Sequence, residues 1–181
     1  MPTTRAGKAQ AAGSEELKTT QAQLVQIAMI IISAMSYDHV IGSGDGMPWK
    51  VPEEYQQFLR FVEGQTVIMG RRSYEIFGDD LTSAHNIVVS RSVTAMPGAV
   101  VCPGIDEAVA TARSYGKTVF SAGGGSIYAQ AIPLADTLYL SYIKGHFEGD
   151  TYFRDFDEAE WDVVRREDHP AFEFVVYKRR G

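Results

Sequence analysis

An acid stands in the first turn of an apolar helix, directly after a loop built to move. Glycine occupies positions 42, 44 and 46, Met47-Pro48-Trp49 follows as a stiff apolar stretch, and a helix opens at Pro52. Proline suits the first helical position, and Glu53 and Glu54 sit at the positive end of the helix dipole. At ~100° per residue, Val51, Tyr55, Phe58, Leu59 and Val62 share one face, while Glu53, Gln56, Gln57, Arg60 and Glu63 share the other. Glu54 falls between Phe58 and Phe61, on the margin of the apolar face. Alone it reads as a first-turn acid helped by the dipole. Beside a glycine lid and an aromatic anchor it reads as an active-site acid.

A second chemistry is anion binding. Gly70-Arg71-Arg72-Ser73 places two guanidinium groups at one strand's carboxyl end, and Arg91 closes the next strand. Gly123-Gly124-Gly125 precedes a further helix, where bare backbone lets a phosphate approach free N–H groups. Ligands of open α/β sheets collect at the carboxyl ends of strands. Three such ends suggest a nucleotide with several phosphates, although each motif alone reads equally as solvated arginines or a turn. GxGxxG is absent after the first strand, so this is not the dinucleotide fingerprint. His39, His85, His146 and His169 lack metal-ligand spacing and no Ser/His/Asp arrangement stands out, so no metal is expected.

Positioning these groups requires a sheet. Residues 27–35 form a nearly continuous apolar run, the pattern of a central strand covered on both faces. Helix 52–62, strand 65–69 and a short helix 73–77 closed by Gly78 follow. Strands are expected at 86–90, 99–102, 117–120 and 137–143, with helices at 105–115 and 126–132. Residues 161–167 and 172–178 fit an antiparallel pair, since Phe172, Phe174 and Val176 alternate. Strands alternating with helices predict an α/β three-layer sandwich: a mainly parallel central sheet of about eight strands with an antiparallel C-terminal edge.

The 181 residues fit one domain over 27–181, preceded by an aromatic-free tail, 1–26, expected to be disordered apart from a thin helical pattern at 15–26. Net charge is −6, and residues 27–181 carry 14 basic against 21 acidic side chains, which disfavours nucleic acid or an anionic membrane as partner. Cys102 is the sole cysteine, in an apolar strand, and reads as a small core residue. No apolar run is long enough to span a bilayer and no secretory signal is visible, so a reducing cytoplasm is the expectation. A monomer is expected, although no motif sets the oligomeric state.

Taken in order, Val40-Ile41-Gly42, Met47-Pro48-Trp49, Pro52 with Glu54, Val67-Ile68-Met69-Gly70-Arg71, Val89-Ser90-Arg91, Gly123-Gly124-Gly125-Ser126-Ile127-Tyr128 and Glu148-Gly149-Asp150-Thr151-Tyr152-Phe153 resemble the dihydrofolate reductase family over residues 27–181. The resemblance implies reduction of 7,8-dihydrofolate to tetrahydrofolate, with hydride passing from NADPH to pterin C6. It implies NADPH lying along the carboxyl edge of the sheet. Gly70, Arg71, Arg72 and Ser73 then hold cofactor phosphates, with Ser90 and Arg91 beside the 2′-phosphate. Gly123, Gly124, Gly125, Ser126, Ile127 and Tyr128 match the pyrophosphate and nicotinamide contacts, with Gly123-Gly124 a cis peptide, and Ala34 and Ile41 flank the nicotinamide.

On the substrate side, the resemblance makes Glu54 the ionisable active-site residue, its carboxylate binding the pterin 2-amino group and ring N–H with a pKa raised by desolvation. Ser141 matches its hydroxyl partner and Trp49 an indole near a bound water. Ile32, Ala34, Met47, Tyr55, Phe58, Phe77 and Leu81 match the apolar walls, and residues 42–47 the lid.

The pattern departs at Ala84, where the resemblance implies an arginine gripping the folate α-carboxylate, and at Asp79, in a loop that is often basic. Losing a bidentate guanidinium weakens tail binding by about 1.5–3 kcal/mol. Arg60 and His85 are the candidates to compensate. Two other readings remain: a reductase of the same fold acting on another pterin or a riboflavin-pathway pyrimidine, and a non-catalytic pterin or nucleotide binder. Glu54 and Trp49 argue against the pyrimidine branch. Glu54, Arg71 and the glycine run argue against a non-catalytic binder.

Overall fold

The computed structural model describes residues 27–181, so the tail expected at 1–26 lies outside the described residues. Eight strands form one sheet in the order β5-β4-β3-β6-β1-β7-β10-β9. In chain order these are β1 (Met29–Ser36), β3 (Thr66–Gly70), β4 (His85–Val89), β5 (Val100–Cys102), β6 (Val119–Ser121), β7 (Thr137–Ile143), β9 (Trp161–Asp168) and β10 (Phe172–Arg179). Every pairing from β5 to β7 is parallel, and β7–β10 and β10–β9 are antiparallel. This is the architecture the alternation of strands and helices predicts.

The helices are α1 (Pro52–Val62), α2 (Arg71–Phe77), α3 (Ile105–Ser114) and α4 (Gly125–Ala131). Strand periodicity sorts the core into two layers. Met29, Ile31, Ile68, Leu138, Leu140, Val175 and Tyr177 pack with Ala108 and Val109 of α3 and Ile127 of α4. Ile30, Ile32, Val67, Met69 and Phe120 face the opposite way and meet Val62, Phe58 and Phe61 of α1. Each buried Val, Leu, Ile, Met or Phe among them contributes roughly 1.5–3 kcal/mol by leaving water. β1 is buried along nearly its whole length because it lies inside the sheet with helices on both sides.

The alternation read in 172–178 is only half of what β10 does. Phe174 and Val176 face the α1 side, but Val175 and Tyr177 are equally buried on the other. There Tyr177 meets Phe156 edge-on at 5.5 Å, and Trp161 belongs to the same cluster.

One feature had no sequence signal. β8 (Thr151–Tyr152) pairs antiparallel with β2 (Val40–Gly42), forming a two-stranded sheet beside the main one. The packing is close enough that a Cβ on Gly149 would overlap the Gly42 carbonyl oxygen and the Val40 side chain. The base of the 42–47 loop is thereby tied to residues 149–152. Cys102 is buried at the end of β5, its Sγ 3.8 Å from Thr111 Oγ1 of α3. Among the described residues no helix is long and apolar enough to cross a membrane.

Candidate active site

Within α1 only Glu54 and Val62 are fully buried. Helical spacing puts Glu54 on the margin of the apolar face, but the structure puts it inside, at 6% exposure. Glu54 meets Ser141 of β7, which sits in register with Ala34 of β1 and Phe174 of β10. Burial pushes the Glu54 carboxyl up from its ordinary 4.5 to about 7, and the hydrogen bond with the buried Ser141 hydroxyl counters part of that rise.

Glu54 lines a first cavity with Ile32, Ala34, Met47, Tyr55, Phe58 and Phe77, all expected from the sequence. Tyr55 packs at 6.0 Å from Phe58 and 6.3 Å from Phe77, and its hydroxyl donates to Asp80 at 2.7 Å. The Tyr128 hydroxyl enters the same cavity and donates to the Ile32 carbonyl at 2.8 Å. Two expected wall residues stand behind the surface: Leu81 packs with Phe58 and Phe77, and Ser141 lies beneath Glu54. Trp49 is buried in a neighbouring cluster, edge-on to Phe147 at 5.5 Å, with an indole N–H that has no partner among the described residues. Ser33, Met69 and Ala122 also line the cavity without having been expected.

A second cavity of about 370 Å3 adjoins the first, sharing Ile41, Met47, Ser73, Phe77 and Gly124 with it. Its walls bring together Gly70, Arg71, Arg72 and Ser73 from one strand end, Gly125, Ser126 and Ile127 from another, and Gly42, Gly44 and Gly46 of the loop. The strand ends meet directly, Gly70 N–H donating to the Gly123 carbonyl at 2.7 Å. The Gly123-Gly124 peptide is cis, as the resemblance implies.

Side chains here would close the cradle. A Cβ on Gly70 would press on Ile127 at 3.2 Å, one on Gly124 on Ser73 at 3.3 Å, and one on Gly125 on the Tyr152 carbonyl at 3.1 Å. Two guanidinium groups, serine hydroxyls and bare backbone in one cavity fit a phosphate-bearing nucleotide. Gly123 and Tyr128 stand on the first cavity only. Ser90 and Arg91 lie past the cavity wall, joined to it through Ser92. Arg71 Nη1 donates to Ser92 Oγ at 3.1 Å, and the Ser90 and Ser92 hydroxyls are 3.1 Å apart. Ser92 was not expected from the sequence, although it directly follows Arg91.

The loop is held from two sides. Arg72 donates to the Gly44 carbonyl at 2.8 Å and to Asp45 at 3.0 Å, while Gly44 N–H donates to Asp150 at 3.1 Å. That bond, with a second from Thr151, holds the Asp150 carboxyl below its ordinary range.

A family model described as dihydrofolate reductase matches residues 28–179. The chain belongs to the dihydrofolate reductase family. It is 37% identical over 158 residues to dihydrofolate reductase type 3 of Salmonella typhimurium, covering 83% of this chain and 97% of that one. It is 32% identical over 158 residues to dihydrofolate reductase of Bacillus subtilis, covering 83% and 94%. Among solved structures, Enterococcus faecalis dihydrofolate reductase complexed with NADP(H) and RAB-propyl superposes with a TM-score of 0.77 at 26% identity, covering 85% of this chain and 97% of that one. In this dihydrofolate reductase fold the acid, carried by α1, stands beside Ser141 of β7 on one side of β1, and the phosphate-type cradle comes from the ends of β3 and β6 on the other, with Ile41, Met47 and Ser73 lining both cavities.

Neither candidate to replace the arginine missing at Ala84 points into the first cavity. Arg60 is exposed on the outer face of α1. His85 stacks on Tyr115 at 3.8 Å, and Tyr115 packs against the α3 side of the sheet.

Proposed function

We propose that the protein reduces 7,8-dihydrofolate to 5,6,7,8-tetrahydrofolate with NADPH. The observation that carries this is one buried carboxylate in an apolar cavity that shares a wall with an arginine- and glycine-lined cleft. NADPH, when bound, supplies the hydride, which adds to pterin C6.

Each side chain then has a role. The Glu54 carboxylate accepts hydrogen bonds from the pterin 2-amino group and the adjacent ring N–H, fixing which ring face meets the second cavity. Ser141 orients that carboxylate. Ile32, Ala34, Met47, Tyr55, Phe58, Phe77 and Leu81 form or back the apolar walls that exclude water. Held at the far edge of the ring, Glu54 cannot touch N5, so the proton arrives there by water, and Trp49 lies near that route. Gly70, Arg71, Arg72 and Ser73 hold phosphates, Ser90 and Arg91 lie beside the 2′-phosphate, and Gly123 to Tyr128 and Ile41 bracket the rest of the cofactor. Residues 42–47 are the lid. We propose further that the enzyme works in the cytoplasm as a monomer and without nucleic acid, the last supported by its net charge of −6.

The test is loss of reduced-nicotinamide absorbance with dihydrofolate present, NADPH against NADH. Turnover preferring NADPH is expected. Absence of turnover with both cofactors refutes the assignment.

A further inference from the structure

Glu54 is the one acidic or basic side chain that lines the first cavity. No Lys, Arg or His is among its lining residues. The outer wall is Tyr55, Phe58 and Phe77, and the turn that follows Phe77 exposes Asp79 and Asp80. Asp80 is fixed there, because it accepts the Tyr55 hydroxyl at 2.7 Å and so bridges α1 to the turn. The next residues fold down onto the end of α1: Thr82 donates to the Leu59 carbonyl at 2.5 Å, and Ala84 N–H donates to Gln65 at 2.8 Å. Ala84 is the exposed side chain left at that edge.

None of the neighbouring cations lines the first cavity. Arg71 pairs with Glu75 at 2.8 Å and Ser92, and Arg72 with the lid, both in the second cavity. Arg60 faces solvent and His85 lies against Tyr115.

Resting on the reductase reading above, we infer that this enzyme recognises the pterin ring and an uncharged arm, and leaves the carboxylates of the substrate's tail unrecognised, with Asp80 as the residue that sets this specificity. An acidic tail leaving the mouth gains no ion pair and meets the fixed Asp80 carboxylate. The substrate class is therefore dihydropterins with a neutral arm at C6 as well as glutamylated ones, and each added glutamate weakens binding. Like charges near a protein surface act over several ångströms and are screened at ordinary salt, so the effect is a few-fold and fades with ionic strength.

The experiment compares kcat/KM for dihydrofolate, for its bis-amide with both glutamate carboxylates neutralised, and for triglutamyl dihydrofolate, at low and high salt. The bis-amide is expected to equal or exceed dihydrofolate by about two- to fivefold at low salt, with the triglutamate lower still and the differences shrinking as salt rises. Asp80→Asn keeps an acceptor for Tyr55 and removes the charge. It is expected to raise kcat/KM for the glutamylated substrates by a similar factor and leave the bis-amide unchanged. A tenfold or greater preference for dihydrofolate over the bis-amide overturns the inference while leaving the reductase reading intact, and so does an equal response of all three substrates to Asp80→Asn. Reduction of none of the three overturns the reductase reading and the inference with it.

Discussion

Replacing Glu54 with glutamine is expected to make the ligand-free protein more stable and the enzyme worse. The carboxyl moves from an ordinary 4.5 in the unfolded chain to about 7 in the fold. Between those values the folded state holds a proton the unfolded state has released. Stability therefore falls as pH rises through that window, and the full penalty of a buried charge applies above pH 7. Integrated from pH 5 to 8, this amounts to roughly 2–3 kcal/mol. Glutamine is nearly isosteric, keeps a partner for Ser141 and has no charge to bury. Titrations elsewhere affect both proteins alike, so the difference between them isolates this group.

For a domain of this size about 1 kcal/mol corresponds to roughly 2–4 °C in Tm. The Glu54→Gln Tm minus the parent's should then climb by roughly 4–12 °C from pH 5 to pH 8, read by calorimetry on the ligand-free proteins. The same variant loses a charge-assisted pair to the pterin, on the order of 1.5–3 kcal/mol, or roughly 10- to 150-fold in kcat/KM. A Tm difference that does not change with pH would refute the account of burial. Full activity at neutral pH would refute the ring-binding role.

Other variants probe the frame around that acid. Gly149→Ala drives a Cβ into the Gly42 carbonyl and Val40. Neither strand can yield alone, so a loss on the order of 1–3 kcal/mol is expected by thermal melting. Gly125→Ala crowds the Tyr152 carbonyl at 3.1 Å and is expected to raise the Kd for NADPH while sparing that for a pterin-site ligand, both read by fluorescence titration. Arg72→Gln breaks an ion pair whose partners are 69% and 95% exposed. Its Tm should stay close to the parent's, while NADPH affinity falls by about 10-fold, the lower end of a charge-assisted phosphate contact. Ala84→Arg supplies the missing cation at the mouth and is expected to lower the KM for dihydrofolate by about 10-fold or more, with no change for the bis-amide.

The long elements were legible because their patterns are local. Pro52 and the apolar spacing to Val62 set the limits of α1 as found, and the run from Thr137 to Ile143 gave β7 at both ends. Glu54 lies deeper than its place on the helix margin implies. A helical wheel shows which face a residue shares and not what another element brings over its margin, and here β7 brings Ser141 to Glu54. β8 was illegible because two residues have no periodicity. It exists only because β2, over a hundred residues earlier, offers an edge. Ser33, Met69 and Ala122 read as ordinary interior residues, and only the meeting of β1, β3 and the residue after β6 at one cavity gives them another use. The positions of Arg60 and His85 depended on which side of an element faces the cavity, and neither motif nor spacing conveys that.

Cys102 has a practical consequence at the bench. It is the chain's sole thiol and lies 1% exposed under α3. A maleimide dye should pass over the folded native protein. A cysteine placed at Ser43, in the 42–47 loop, would then be the only handle for labelling. Any motion of that loop could be followed optically, with no native residue removed first.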